Sequence, residues 1–412
     1  MITAECLPHD RIEFSRNEIG ELADLLGLPW VTQRIARLTE TRVGIEIQSG
    51  PYVGRLVVPE KAVIDVKEPF PGTVAACLEL SNSGRRAADQ GSPPGTVNVT
   101  PWSALVEAFT KSLSNYVMHG IERQYIPELI TTSRPRGHVE LGLTVQKVFS
   151  HGRKDKVVCR PRILSDDTPL NRAIAAGAVR AEQILIREGS PACLRTLRSM
   201  APALSGVRRD VVPDVMAARR EVNLLREDHR YLLSLVELLV EGVPSLPPSQ
   251  RLDEMFPATA WLNVERIFEE AIVSVAREVV GHRGRVHTGK GDGTTLFAGQ
   301  LEGEPRPVTK SADPDIVVQH PGGTILLDAK YRRHLAYFTE DELYQLMAHA
   351  GAYRATAAAL VAPARPGAIP EERWLGRDKY GTAYYAISVD PTAPAQIFQA
   401  LETWLNHQVK QP

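Results

Sequence analysis

Residues 314–331 read PDIVVQHPGGTILLDAKY. Two aliphatic, β-branched runs, IVV and TILL, flank a Pro-Gly-Gly, which is a strong hairpin signal. Asp315 stands at the start of the first strand, and Asp328 and Lys330 close the second. Side chains alternate along a strand. Leu326, Asp328 and Lys330 therefore share one face, and Ile325, Leu327 and Ala329 the other. Across the hairpin Asp315 can approach Asp328. Two carboxylates at one desolvated point repel each other, and a divalent cation resolves the conflict. Mg2+ suits one or two carboxylates completed by waters and a phosphate. Lys330 is then placed to position or help deprotonate a water, and the metal to offset charge growing on the phosphate. A bare D-x-K is weak, because a solvated ion pair at a strand end gives the same pattern. The flanking sequence has to decide.

Upstream, WLNVERIFEEAIVSVAREVV (261–280) predicts an amphipathic helix, with Val264, Ile267, Phe268, Ala271, Ile272, Val275 and Ala276 at helical spacing. Glu265 and Glu269 border its apolar stripe, where a glutamate can reach the edge of a sheet below; a solvated helix surface is the competing reading. Downstream, EDELYQLMAHAGAY (340–353) predicts a second helix, with Leu343, Leu346, Met347 and Ala350 turned inward. An inward Gln345 needs a hydrogen-bond partner, which a water or phosphate at the site supplies. A capped core amide is the alternative.

The chain has 412 residues, enough for two or three domains, and is 43% hydrophobic and 24% charged, like an ordinary globular protein. A net charge of −1 excludes a wholly basic nucleic-acid coat but not a local basic surface. Cys6, Cys77, Cys159 and Cys193 are scattered without a C-x-x-C pair, which reads as reduced thiols rather than a zinc or iron–sulfur site. The N-terminus shows no signal-peptide pattern, and apolar stretches are interrupted by charge well before ~18 residues, so the expectation is a cytoplasmic protein with no membrane contact.

The pattern along the chain divides it in three. Residues 1–97 read as a β-rich N-terminal domain, with VGIEIQSGPYVGRLVVP (43–59) as a hairpin or small barrel. Residues 98–245 read as a mainly helical middle region. Its first helix starts near Thr100 or Pro101, and RGHVELGLTVQKV and DKVVCRPRIL are strand-like. After VPSLPPSQ, residues 250–412 alternate helices and strands as an α/β domain, with a mixed central sheet flanked by helices.

These residues, in this order, resemble the PD-(D/E)-x-K nuclease superfamily. More closely, they resemble the McrC family, the nuclease subunits of McrBC-type modification-dependent restriction systems. The matching pieces are Phe268-Glu269, Pro314-Asp315, Asp328-Ala329-Lys330-Tyr331 and Tyr344-Gln345. Arg136-Gly137-His138-Val139 and Asp167-Thr168-Pro169-Leu170-Asn171-Arg172 add two more, so that residues 130–350 are well covered. One departure is Glu342, where the family often has Asp two residues before the Tyr-Gln pair.

The resemblance implies a restriction-endonuclease-like fold at 250–412 and Mg2+-dependent cleavage of double-stranded, modified DNA, with Mn2+ able to substitute. Asp315, Asp328 and Glu269 would hold the metal, Lys330 would stand beside the water, and Glu269 and Gln345 would support catalysis. It also implies a hexameric AAA+ GTPase or ATPase partner of the McrB type, on which the N-terminal domain docks and which it stimulates. A non-catalytic regulator of such a partner is one alternative, and a repair-type nuclease of the same superfamily is another.

Two weaker signals remain. GRVHTGKG (284–291) is one residue short of a P-loop, with Gly291 in place of Ser or Thr, and follows a helix where a P-loop follows a strand. It reads as a Gly-rich turn. Residues 134–162 hold Arg134, Arg136, Lys147, Arg153, Lys154, Lys156, Arg160 and Arg162 against only Glu140 and Asp155, a basic stretch suited to phosphates, to an acidic partner or to solvent.

Overall fold

VGIEIQSGPYVGRLVVP forms two strands but not a hairpin. In the computed structural model, which describes residues 2–89, 100–188, 190–208, 213–222, 227–241, 261–297, 310–332 and 338–410, the chain opens on β1 (Ile2–Cys6), β2 (Arg11–Ser15), β3 (Ala36–Glu40), β4 (Gly44–Ser49), β5 (Tyr52–Val58) and β6 (Ala62–Val66). Strand β4 pairs with β2 and β3, whereas β5 pairs with β6. The chain changes sheet at Gly50-Pro51. Gly50 N donates to Ile35 O at 2.8 Å, and a Cβ on Gly50 would sit 2.6 Å from that oxygen. Pro51 has no N–H to continue a ladder. The two sheets enclose one apolar core that includes Phe14, Trp30, Ile45, Leu56 and Ile64. Helices α1 (Thr73–Asp89) and α2 (Pro101–Met118) follow, and Thr100 Oγ1 accepts from Ser103 N at 3.1 Å, as expected of a cap.

The chain forms two compact units, one of Met1–Ala108 with Glu241–Pro412 and one of Phe109–Val240. Thus the segments read as separate first and third domains lie in a single unit.

The second unit contains β7 (Gln124–Pro127), β8 (Ile130–Thr132), β9 (His138–Val139), the short α3 (Leu141–Lys147), β10 (Val157–Arg160) and β11 (Arg162–Ser165). Helices α4 (Pro169–Glu188), α5 (Pro191–Met200), α6 (Val215–Val222) and α7 (Glu227–Glu241) complete it. The strand expected through LGLTVQKV is therefore a helix. Thr144 and Val148, four residues apart, face inward, and Thr144 Oγ1 accepts from Val158 N at 2.9 Å. Gly137 of the R-G-H-V motif has φ +72°, and a Cβ there would lie 2.7 Å from Arg160 O.

The D-T-P-L-N-R motif is a knot at the start of α4. Asp167 accepts from Arg172 Nε at 2.7 Å and from Arg208 Nε at 2.8 Å. Buried Asn171 accepts from the Tyr116 hydroxyl at 2.6 Å and donates to the carbonyls of Glu122 and Asp166. Every polar group of Asn171 that the fold buries has a partner, which is the condition for burying an amide.

The rest of the first unit begins at β12 (Trp261–Asn263), which pairs with β5. It continues through α8 (Val264–Val280), β13 (Arg285–His287), β14 (Ile316–His320), β15 (Gly323–Ala329), α9 (Glu340–Tyr353), β16 (Ala357–Pro363), β17 (Glu371–Arg377), β18 (Ala383–Val389) and α10 (Pro394–Lys410). Six strands form one mixed sheet in the order β13-β14-β15-β16-β18-β17. The fold class is α/β, as expected. The hairpin β14–β15 turns at Pro321-Gly322, with His320 opposite Gly323. Strand β15 then runs parallel to β16, and Lys330 N still donates to Val361 O at 2.8 Å. Strand β17 was not legible in the sequence: EERWLGR is mostly exposed and carries a bulge at Trp374/Gly376, so no alternating apolar face marks it.

Candidate active site

The hairpin register pairs Ile316 with Leu327, which sets Asp315 opposite Asp328 one step beyond the ladder. Both carboxylates are buried, at 8% and 1% exposure. Asp315 Oδ2 accepts from Ala329 N at 3.0 Å, so the first acid is tied to the second strand. Lys330 Nζ lies 2.7 Å from Asp328 Oδ2. Burial, then repulsion from Asp315, pushes the Asp328 carboxyl up to about 6, with Lys330 acting against both. The face predicted by strand alternation is the one observed. Leu326 and Val317 pack there against Leu346 and Ala350 of α9.

Helix α8 delivers Glu269. Asn263 caps the helix by accepting from Arg266 N at 3.0 Å, and the apolar stripe through Val264, Ile267, Phe268, Ala271 and Ile272 is buried. The Phe268 ring lies 5.5 Å from that of Tyr331, which also meets Phe70 edge-on at 6.2 Å. The aromatic members of the F-E and D-A-K-Y motifs are thus packing residues. Glu265 turns elsewhere, to His9 at 2.8 Å.

Sequence reasoning missed Lys290. Its Nζ lies 2.7 and 2.8 Å from the two Glu269 oxygens and 3.1 Å from Asp315 Oδ1. Burial disfavours the Lys290 ammonium, but Glu269 and Asp315 outweigh that and raise its pKa. Glu269 is raised in turn, by burial and then by Asp315, with Lys290 opposing. His349 was missed as well. It is buried on α9, its Nδ1 has no hydrogen-bond partner, and its pKa is lowered by burial and then by the Lys330 charge.

Gln345 is exposed, a correction to the inward amide expected of it, and Met347 is exposed too. The buried stripe of α9 runs through Glu342, Leu346, His349 and Ala350. A capping box sets this rotation: Thr339 N donates to Glu342 Oε2 at 2.9 Å, and Glu342 N donates to Thr339 Oγ1 at 3.4 Å. Glu342 also pairs with Arg332. The acid that departs from the family's aspartate thus works as a helix cap and counter-ion.

Among the described residues no three His, Cys, Asp or Glu side chains converge as a ligand cluster. Two carboxylates do, and Asp328 Oδ2 is buried without an aligned hydrogen bond despite the nearby ammonium. A paired, desolvated and partly unsatisfied donor set of this kind fits a hard cation that takes two carboxylates and keeps waters.

A family profile described as "McrBC 5-methylcytosine restriction system component" matches residues 96–363. The chain belongs to this McrBC component family. The match takes in Glu269, Asp315, Asp328, Lys330 and Gln345 of the McrBC-type motifs, and Lys290 and His349 as well. No curated protein sequence matches the chain. Among solved structures, it is similar to a chain of the "Refined half-complex from tetradecameric assembly of Thermococcus gammatolerans McrB AAA+ hexamers with bound McrC", at 17% identity and a TM-score of 0.47, covering 98% of this chain and 100% of that one. It is also similar to a chain of the cryo-EM structure of the Thermococcus gammatolerans McrBC complex, at 15% identity and a TM-score of 0.38, covering 68% of this chain and 88% of that one. No helix among the described residues is long and apolar enough to cross a membrane.

Proposed function

We propose that this chain is the DNA-cleaving subunit of a McrBC-like restriction system, a Mg2+-dependent endonuclease with a PD-(D/E)-x-K site. The observation that carries the reading is the meeting of Asp315 and Asp328 at the open end of one hairpin, with Lys330, one residue past the same strand, 2.7 Å from Asp328. Asp315 and Asp328 would hold Mg2+, or Mn2+ in its place, and the ion would supply charge stabilisation at the scissile phosphate. Lys330, its ammonium 2.7 Å from Asp328, would orient the attacking water by donating to it. Glu269 supports the metal side of the site from α8. Gln345, exposed on α9, acts from the solvent side, where the DNA lies. A non-catalytic regulator has no need to bury two acids against each other beside a half-buried lysine, since such a cluster costs stability.

Membership of a family of restriction-system components supports action within an assembly. The partner we propose is a hexameric AAA+ GTPase of the McrB type, which recognises modified double-stranded DNA and is stimulated by the N-terminal residues 1–97. The test mixes the chain with a McrB-type AAA+ hexamer, nucleotide, Mg2+ and methylated plasmid. Wild type cleaves, and Asp328→Ala does not, while still stimulating nucleotide hydrolysis. Equal cleavage by both proteins overturns the site.

A further inference from the structure

The turn HTGKG (287–291) looks like a phosphate loop that lacks its hydroxyl, yet its lysine points at carboxylates. The geometry is built rather than incidental. Gly289 N donates to Pro314 O at 3.0 Å, and a Cβ on Gly289 would meet Pro314 Cδ at 2.5 Å. Only glycine lets the turn lie this close to the Pro-Asp pair, and that approach carries Lys290 to Asp315. The ammonium then bridges an acid from α8 and an acid from the hairpin.

Among the described residues, Glu269, Asp315 and Asp328 contribute three negative charges here and Lys290 and Lys330 two positive ones, with Glu270 acting on Glu269 and Arg332 on Asp328 from farther out. Lys330 faces Asp328, and among the described residues Lys290 is the ammonium paired with both Glu269 and Asp315. A like-charged pair of partly buried carboxylates without a cation is strongly disfavoured.

We propose that Lys290 is a positioning residue acting as the resident counter-ion of Glu269 and Asp315, and that a divalent ion at Asp315 binds in competition with its ammonium. The proposal rests on the nuclease reading of this site. It assigns the lysine a role that neither Lys330 nor the metal supplies: keeping Glu269 and Asp315 close together before the metal arrives. It also sets the metal affinity lower than the carboxylates alone would give.

The test is calorimetric titration of the full chain with Mn2+, comparing wild type, Lys290→Met, Lys290→Gln, Lys290→Arg and Asp328→Asn. Removing the competing charge tightens Mn2+ binding by about tenfold in Lys290→Met and Lys290→Gln, as expected for one charge removed from a partly buried site. Lys290→Arg keeps the charge and binds like wild type. The metal-free neutral variants melt below wild type, and saturating Mn2+ closes the gap. Unchanged or weaker Mn2+ binding in a folded neutral variant overturns the competition, while Asp328-dependent binding leaves the nuclease reading standing. Binding that is indifferent to Asp328→Asn, or no binding to wild type, overturns the metal site and the competition with it.

Discussion

The rings of Phe268 and Tyr331 lie 5.5 Å apart, so the immediate sequence neighbours of Glu269 and Lys330 are clamped to one another. The clamp fixes the spacing between helix α8 and the end of strand β15. Tyr331→Ala leaves a hole beneath both and is expected to cost about 3–5 kcal/mol, by analogy with other buried aromatic truncations. Denaturant unfolding measures this. A loss under 1 kcal/mol would mean that the ring does not bear on the core.

Gly289→Ala is expected to push the turn off Pro314 and carry Lys290 away from Asp315. Overpacking of this kind costs about 1–3 kcal/mol. DNA cleavage in the assembled complex should fall as well, although the residue carries no functional group. Unaltered melting and unaltered cleavage together would show that the turn can relax without moving the lysine.

Asp328→Asn removes a charge that burial and Asp315 both disfavour. The metal-free variant should be as stable as wild type or more stable, by up to about 1 kcal/mol, while cleavage is abolished. Stability is read by thermal unfolding in a chelator and cleavage by plasmid nicking. A large destabilisation would identify the Asp328–Lys330 pair as structural.

Asp167 is held well below the usual carboxylate range, chiefly by the Arg172 side chain and then by Arg208, which outweigh burial. A carboxyl with a lowered folded pKa adds stability above its unfolded value and loses it as pH falls through the folded one. The gap between wild type and Asp167→Asn should therefore hold at about 1–2 kcal/mol from neutrality down to about pH 5. It should shrink below about pH 4. A gap that instead widens on acidification would contradict the ion-pair assignment.

The hairpin was readable because its acids sit at the ends of continuous buried aliphatic runs, and strand alternation fixes which side chains share a face. Glu269 was readable because the apolar stripe of α8 is wide and unbroken. Lys290 was not, since a glycine turn carries no periodicity and its docking depends on Pro314, many residues away. Gln345 was misplaced because α9 has a short apolar stripe that permits two rotations, and the Thr339–Glu342 capping box chooses between them. Strands β4 and β5 misled for a related reason: alternation gives two strands, but only the Gly50 contact with Ile35 decides that they part company.

Strand β12 is three residues long, and it joins two structures that the sequence keeps two hundred residues apart. It hydrogen-bonds to β5 in the N-terminal sheet, and its last residue, Asn263, caps helix α8. Glu269 lies six residues on, about 9 Å along the helix axis. His9 grips the same helix one turn earlier, through Glu265. The N-terminal sheet and the helix therefore behave as a lever with a short arm. A displacement of that sheet would reach Glu269 through one stiff helix, with no loop between to absorb it.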